Sequence, residues 1–214
     1  MTKRLETLFS LVEPCRVFAD IGCDHGMISR EVLSRNVAEK VYAADISAPS
    51  LKKAVGLIGG DFDGRFFAFV SDGFDKLPDD IDCALIAGLG GEETVHILSA
   101  KKKLPDTLVL QPMKNAEKVR RKVVALGYGI DKDFTFFASD KYYDVIRAKK
   151  GGGHTDYSED EYVFGRDNLI LKTEDFLRYV KQRLKVLTDA MKNVSDKTAE
   201  LALKEEAAKL MELL

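Results

Sequence analysis

The chain has 214 residues, 33 of them basic and 35 acidic, for a formal net charge of −2. That length suffices for one core-forming domain with an appendage. The near-balanced charge excludes a globally basic nucleic-acid binder, so any such surface must be a local patch. Cys15, Cys23 and Cys83 form no Cys-x-x-Cys pair and are odd in number, which argues against a disulfide framework. No apolar run approaches the ~20 residues of a membrane span, and the first residues lack an apolar signal-like segment. The expectation is a soluble, cytoplasmic protein.

A short helix is predicted from Arg4 to Leu11, ending before Glu13-Pro14. Candidate strands then alternate with helices. The strands are Arg16–Ile21, Lys40–Asp45, Phe66–Ser71, Cys83–Ala87 and Leu108–Gln111. The first helix between strands runs from Met27 to Ser34. The next opens at Ser47-Ala48-Pro49, where Ser47 can cap and Pro49 sits in the first turn. Another follows the Gly88-Leu89-Gly90-Gly91 turn, and a strongly basic one runs from Asn115 to Leu126, with Gly127 closing it. Phe134–Ala138 and Tyr143–Ala148 read as a final strand pair. The strands are short, apolar on both faces and separated by helices, the pattern of a parallel sheet covered on two sides. Ser139-Asp140-Lys141 is too short for a parallel crossover, so the last pair should be an antiparallel edge hairpin. A seven-stranded, mostly parallel α/β sheet of this kind is the Rossmann-like arrangement of class I methyltransferases.

Lys149-Lys150-Gly151-Gly152-Gly153 reads as a linker, which divides the chain into a domain over 1–150 and a helical appendage over 151–214. In the appendage Leu177, Val180, Leu184, Leu187, Met191 and Val194 recur three and four residues apart. After Ser195-Asp196, Leu203, Ala207, Leu210 and Leu214 do the same. The reading is a coiled-coil-like helical hairpin, either packed on the main domain or gripping substrate.

Asp20-Ile21-Gly22-Cys23-Asp24-His25-Gly26, between the first strand and the Met27 helix, is the most specific segment. It is not the dinucleotide Gly-x-Gly-x-x-Gly, and there is no Gly-Lys-Ser/Thr for a triphosphate. A glycine turn lined by acids suits a cationic ligand without phosphates, a description that S-adenosylmethionine fits. In an open α/β sheet such a ligand lies beyond the carboxyl ends of the strands. Four segments reach that edge. Gly22 and Gly26 would allow close backbone approach, with Cys23 and His25 between them, and Asp20 or Asp24 would pair with an ammonium. Asp45, with Ile46, would accept the ribose hydroxyls. Asp72-Gly73 would read an adenine amino group. Ala87, Gly88, Leu89 and Gly90 would run beside a transferred methyl. Taken singly, an acid ending a strand is more often a turn or helix cap, and Gly-x-Gly-Gly is often only a tight turn. His25 could be a base or a loop-structuring residue; His96 and His154 read as structural or solvated. No metal-site spacing is present.

These residues resemble the bacterial tRNA adenine-N1 methyltransferase family that modifies nucleotide 22. The resemblance covers about Lys3 to Gly151. It rests on Lys3-Arg4-Leu5-Glu6-Thr7, Ala19-Asp20-Ile21-Gly22-Cys23-Asp24-His25-Gly26, Ile86-Ala87-Gly88-Leu89-Gly90-Gly91, Leu108-Val109-Leu110-Gln111-Pro112 and Tyr143-Asp144-Val145-Ile146. Met27, Leu89 and Met113 stand where the family usually has tyrosine, methionine and asparagine. The resemblance implies S-adenosylmethionine as cofactor and tRNA as partner, and says nothing of oligomeric state. On this reading Gln111 is the candidate for reading the target base edge, with Asp24 second. Lys114, Lys118, Arg120, Arg121 and Lys122 on the basic helix, with Lys101-Lys102-Lys103 upstream, would meet phosphate, against the plainer reading of a solvated face. The competing readings are a methyltransferase for a small molecule or another RNA, and a catalytically silent binding module.

Overall fold

The computed structural model describes residues 1–100, 103–192 and 194–214. In chain order the elements are α1 (Lys3–Ser10), β1 (Cys15–Ile21), α2 (Met27–Ser34), β2 (Ala38–Asp45), α3 (Ala48–Ile58), β3 (Phe66–Val70), β4 (Cys83–Ala87), α4 (Gly91–Ala100) and β5 (Thr107–Gln111). They continue with α5 (Ala116–Ala125), β6 (Tyr128–Ala138), β7 (Lys141–Lys150), α6 (Glu159–Phe164), α7 (Arg166–Leu171), α8 (Glu174–Met191) and α9 (Lys197–Glu212). The described strands form one seven-stranded sheet in the order β3-β2-β1-β4-β5-β7-β6. Neighbours pair in parallel except β7, which runs antiparallel to both β5 and β6. The expected edge hairpin is therefore present, with β6 at the edge and β7 inserted beside β5.

Alternation along the strands explains why both faces need cover. Val17, Ala19 and Ile21 of β1 point into one core with Ala84, Ile86, Leu108 and Leu110, closed by Leu98, Val119 and Val123 from α4 and α5. Phe18 points the other way with Val41, Leu85 and Val109, closed by Leu8 and Val32 from α1 and α2. Ser47 caps α3 as its sequence predicts, accepting from the Ser50 amide. Ser139 and Asp140 both have positive φ, 46° and 57°, and form the two-residue hairpin turn whose twist suits antiparallel strands.

Two expectations are corrected at the C-terminal side. β6 begins at Tyr128, six residues before the predicted start, because Asp131 and Asp133 sit in the strand with their charges met by Arg147 and Arg120. The glycine run after β7 is packed rather than free. His154 pairs with Ile130, and a Cβ on Gly129 would lie 1.8 Å from the Gly152 carbonyl oxygen. Two short helices follow before the hairpin. Ser158 opens α6 with a capping box to Glu161, and the edge strand is then sealed by side chains. The amides of Asp133, Thr135 and Phe137 donate to Asp167, Asn168 and Asp175 respectively. Such pairing removes the template for edge-to-edge association that an open edge presents.

The heptad residues Val180, Leu187, Ala207 and Leu210 are buried together with Phe164 and Phe176. Phe176, one position before the predicted Leu177, makes the first contact. Val194 lies beyond the end of α8, and Leu214 is exposed.

Candidate active site

The carboxyl ends of β1, β2 and β4, with the loops after them and the start of α1, enclose a cleft of about 710 Å³. β1 ends in Asp20-Ile21, and the chain turns at Gly22 (φ 71°), whose amide and that of Cys23 donate to the Ala44 carbonyl. The turn is thereby fastened to β2. Asp45 ends β2; its carboxylate accepts from the amides of Asp24 (3.1 Å) and Ser47 (2.8 Å), so its position is fixed from both sides while it still lines the cleft.

Asp20 is only 5% exposed, and the Ser29 hydroxyl donates to it at 2.7 Å. Burial pushes its carboxyl up to about 6, against the pull of the Ser29 hydroxyl and amide; the Asp45 charge adds to the rise. Burial and the same two acids raise the Cys23 thiol, so it is no nucleophile. Asp24 holds His25 Nδ1 at 2.6 Å on the exposed wall.

The cleft gathers Asp20, Gly22, Cys23, Asp24, His25, Asp45, Ile46, Asp72, Gly73, Ala87, Gly88 and Leu89, as the sequence leads one to expect. Gly26 and Gly90 do not line it. Gly26 has a packing task instead: a Cβ there would lie 2.7 Å from Ala54 Cβ, so the glycine lets α2 begin against α3. Gly90 faces Lys114, whose Cε would lie 3.4 Å from an added Cβ.

Gln111 is a larger correction. It is fully buried and lies outside the cleft lining. Its Oε1 accepts from Arg4 Nε (2.8 Å) and Nη2 (2.5 Å), and its Nε2 donates to the Pro112 carbonyl. An amide committed in this way cannot read a base. What it does is aim Arg4, which lines the cleft beside Gly88 and lies over the Tyr143 ring at 5.4 Å. Arg4 was visible only within the Lys3–Thr7 resemblance, because a lone arginine on an amphipathic helix carries no signal of its own. Glu93 and Met27 also line the cleft; Met27 is 43% exposed.

The basic helix divides. Arg120 is 1% exposed and faces inward: its Nε donates to both Asp133 oxygens, its Nη1 to the carbonyls of Tyr162 and Val163, and its Nη2 to Asp144. Burial alone would lower its pKa, and the charges of Asp133 and Asp144 reverse that. It cannot meet phosphate. Arg121 is held by Glu117 and Glu159 over the Tyr162 ring. Lys118 and Asn115 both donate to Glu92, whose carboxyl they lower to about 2. Lys114 is exposed and Lys122 half-buried. Of the upstream lysines, Lys103 is exposed, and Lys101 and Lys102 lie outside the described residues.

No described helix is long and apolar enough to cross a membrane. Among the described residues, no three His, Cys, Asp or Glu side chains converge on a metal-sized site.

A doubly wound sheet in this strand order, with acids converging on the carboxyl edge of β1, β2 and β4, is the architecture of a methyltransferase. The family profile described as "Methyltransferase domain" matches residues 1–146, and the chain belongs to that family. Among its relatives is a Mycoplasma pneumoniae protein assigned as a tRNA methyltransferase, 32% identical over 88% of this chain and 91% of its own. The tRNA (adenine(22)-N(1))-methyltransferase of Bacillus subtilis is 28% identical over 71% of this chain and 66% of its own. A Streptococcus pneumoniae crystal structure assigned as a tRNA (m1A22) methyltransferase shares the fold across 100% of this chain and 99% of that one. Its TM-score is 0.93 at 20% identity.

Proposed function

We propose that this protein transfers a methyl group from S-adenosylmethionine to N1 of an adenine in tRNA, in the cytoplasm. The observation that carries the reading is the cleft itself: five carboxylates and a glycine turn at one sheet edge, in a chain whose relatives are tRNA methyltransferases. The donor set fits the cofactor. Acids suit a ligand with cationic groups, and no lysine among the described residues lines the cleft to receive a polyphosphate. When bound, the cofactor supplies a methyl group on a positively charged sulfur. Asp45, pinned by two amides, would hold the ribose hydroxyls, Asp72 the adenine amino group and Asp20 the ammonium.

A neutral adenine already carries a lone pair on N1, so the cleft needs no strong base. The residues have to orient the two reactants, an effect that can account for much of a rate enhancement. Methylation leaves the base cationic, and Asp24 and Glu93 on the wall favour charge arriving there. Since a paired base cannot reach the cleft, the substrate must present it unstacked. Met27 and Leu5 offer apolar surface for it, and among the described residues no Phe, Tyr or Trp lines the cleft, which leaves His25 as its ring. Residues 1–150 would form the catalytic unit and 151–214 a helical unit that extends the RNA-facing surface.

The test is incubation of the protein with labelled S-adenosylmethionine and unmodified tRNA, followed by nucleoside mass spectrometry. N1-methyladenosine is expected. Labelling of no RNA would favour a small-molecule substrate or a silent binding module. Asp45→Ala should weaken cofactor binding at least tenfold by calorimetry, since hydrogen bonds to a charged acceptor contribute about 1.5–3 kcal/mol each; unchanged affinity would remove Asp45 from the site.

A further inference from the structure

The two edges of the sheet are built differently. The β6 edge is sealed by side chains from α7 and α8, whereas β3 ends the sheet on the opposite side. In the ladder to β2 the Ser71 amide donates to the Asp45 carbonyl, and the Arg65 carbonyl accepts from the Val41 amide. Odd-numbered residues of β3 therefore bond inward, and the N–H and C=O groups of Phe66, Ala68 and Val70 point away from the sheet. No hydrogen bond from another described residue meets them. The strand also lacks the usual guards of an open edge: Phe66-Phe67-Ala68-Phe69-Val70 holds no charge, no proline and no register shift. Ala68 is exposed, and Phe67 and Val70 are 39% and 43% exposed.

Such a run is complementary to itself. An antiparallel copy related by a two-fold axis at Ala68 sets Ala68 opposite Ala68, Phe66 opposite Val70 and Phe67 opposite Phe69. Each outward-facing pair then exchanges both backbone bonds. Phe67 and Phe69 fall at the non-hydrogen-bonded positions, where cross-strand side chains come closest. Both rings already lie edge-on to Tyr42, with centroids 5.7 and 5.6 Å away. The ends are complementary in charge: Arg65 immediately precedes the strand and Asp72 is the first charge after it, so antiparallel copies bring unlike ends together. We propose that β3 is a self-association edge, through which two copies of this chain join their sheets into one. This surface is independent of the methyl-transfer reading. A contact centred on five residues a side is smaller than the roughly 20–30 residues a side of a stable interface, so the dimer is weak and concentration-dependent. An edge that merely faces water predicts a monomer at every concentration.

Sedimentation velocity of the full chain distinguishes the two. Wild type should pass from monomer to dimer as its concentration rises through the micromolar range. Because Ala68 lies on the axis, Ala68→Lys and Ala68→Asp each set two like charges face to face, and each should raise the midpoint concentration about tenfold or more. Mixed in equal amounts, the two variants should associate again at about the wild-type midpoint, since opposite charges then meet. Ala68→Pro removes an outward N–H and no bond to β2, and should abolish the dimer if either charge disturbs the fold. Three results would overturn the proposal: wild type that stays monomeric into the millimolar range, single variants that dimerise as wild type does, or a mixture that stays monomeric while both variants keep the wild-type circular dichroism.

Discussion

Two arginines of this chain are held in opposite ways. Arg120 is enclosed, with two carboxylates and two carbonyls on its guanidinium. Arg4 is half-buried at the cleft, with a neutral amide and an aromatic ring. Both side chains are ordered by their neighbours, yet one has its charge fully met inside the protein and the other does not. The satisfied arginine joins elements: it ties α5 to β6, β7 and α6. The unsatisfied one faces the space where a ligand belongs. Around them the same contrast holds for acids, with Asp133 locked by Arg120, Tyr157 and the Arg166 amide, and Asp20 held, among the described residues, by Ser29.

The sharpest way to test the contrast is to remove the satisfied charge. Arg120→Ala would leave Asp133 buried without its cation and two carbonyls unpaired. Breaking a buried pair from one side costs about 3–5 kcal/mol. Urea denaturation should show a loss of that order, whereas Arg4→Gln, which removes the donors from the neutral, buried Gln111 oxygen, should cost less, about 1–3 kcal/mol. Cofactor affinity should behave in reverse, preserved in Arg120→Ala protein that remains folded. A small stability change in Arg120→Ala would mean that the network around Asp133 does not join the helices to the sheet.

A smaller effect follows from Asp20. Its carboxyl stands at about 6 in the folded protein, raised by burial from an ordinary value of 3.8. Folding thus favours the protonated form: this group's contribution to stability is complete below about pH 3.8 and is lost as pH rises through 6. A cationic ammonium prefers the ionised form, so cofactor affinity should fall as pH is lowered through 6. About tenfold weaker binding of S-adenosylhomocysteine at pH 5 than at pH 7 is expected from the linkage. Asp20→Asn should bind more weakly at pH 7 and flatten that dependence. A wild-type profile that is already flat would show that Asp20 faces no charge on the ligand.

Much of this was legible in the residues. The strands of the parallel sheet are short runs apolar on both faces, and every one was found within two residues of its observed bounds. The hidden parts are those where charge is satisfied in the interior. Asp131 and Asp133 make the start of β6 read as a loop, and Arg120 makes an inward helical position read as basic surface. The helical period did hold a clue, because Ala116, Val119, Arg120 and Val123 share one buried face of α5. The capping box Ser158-x-x-Glu161 was likewise a readable helix start within what composition suggested was a linker. Gln111 was traced to the right strand end and given the wrong task, since sequence cannot show that its amide is already occupied.

The same division of charge predicts the smallest effect, on the basic helix. Of its cations, Arg120 is internal, while Arg121 and Lys118 are already paired with surface acids. Exposed pairs of this kind contribute little and exchange readily, so both retain some attraction for phosphate, but each must give up a partner. Lys114 lies exposed beside Gly90, next to the cleft, and Lys122 is half-buried on the same helix. These two should carry the phosphate contacts. In a tRNA-binding titration against salt, each lost contact flattens the logarithmic slope by about 0.7–0.9. Lys114→Ala with Lys122→Ala should therefore lower the slope by about 1.5, while Lys118→Ala with Arg121→Ala should change it by less than half as much. Cofactor affinity should stay constant in both. If the second pair flattens the slope more than the first, the surface pairs open on binding, and internal satisfaction is no guide to which cations of α5 meet RNA.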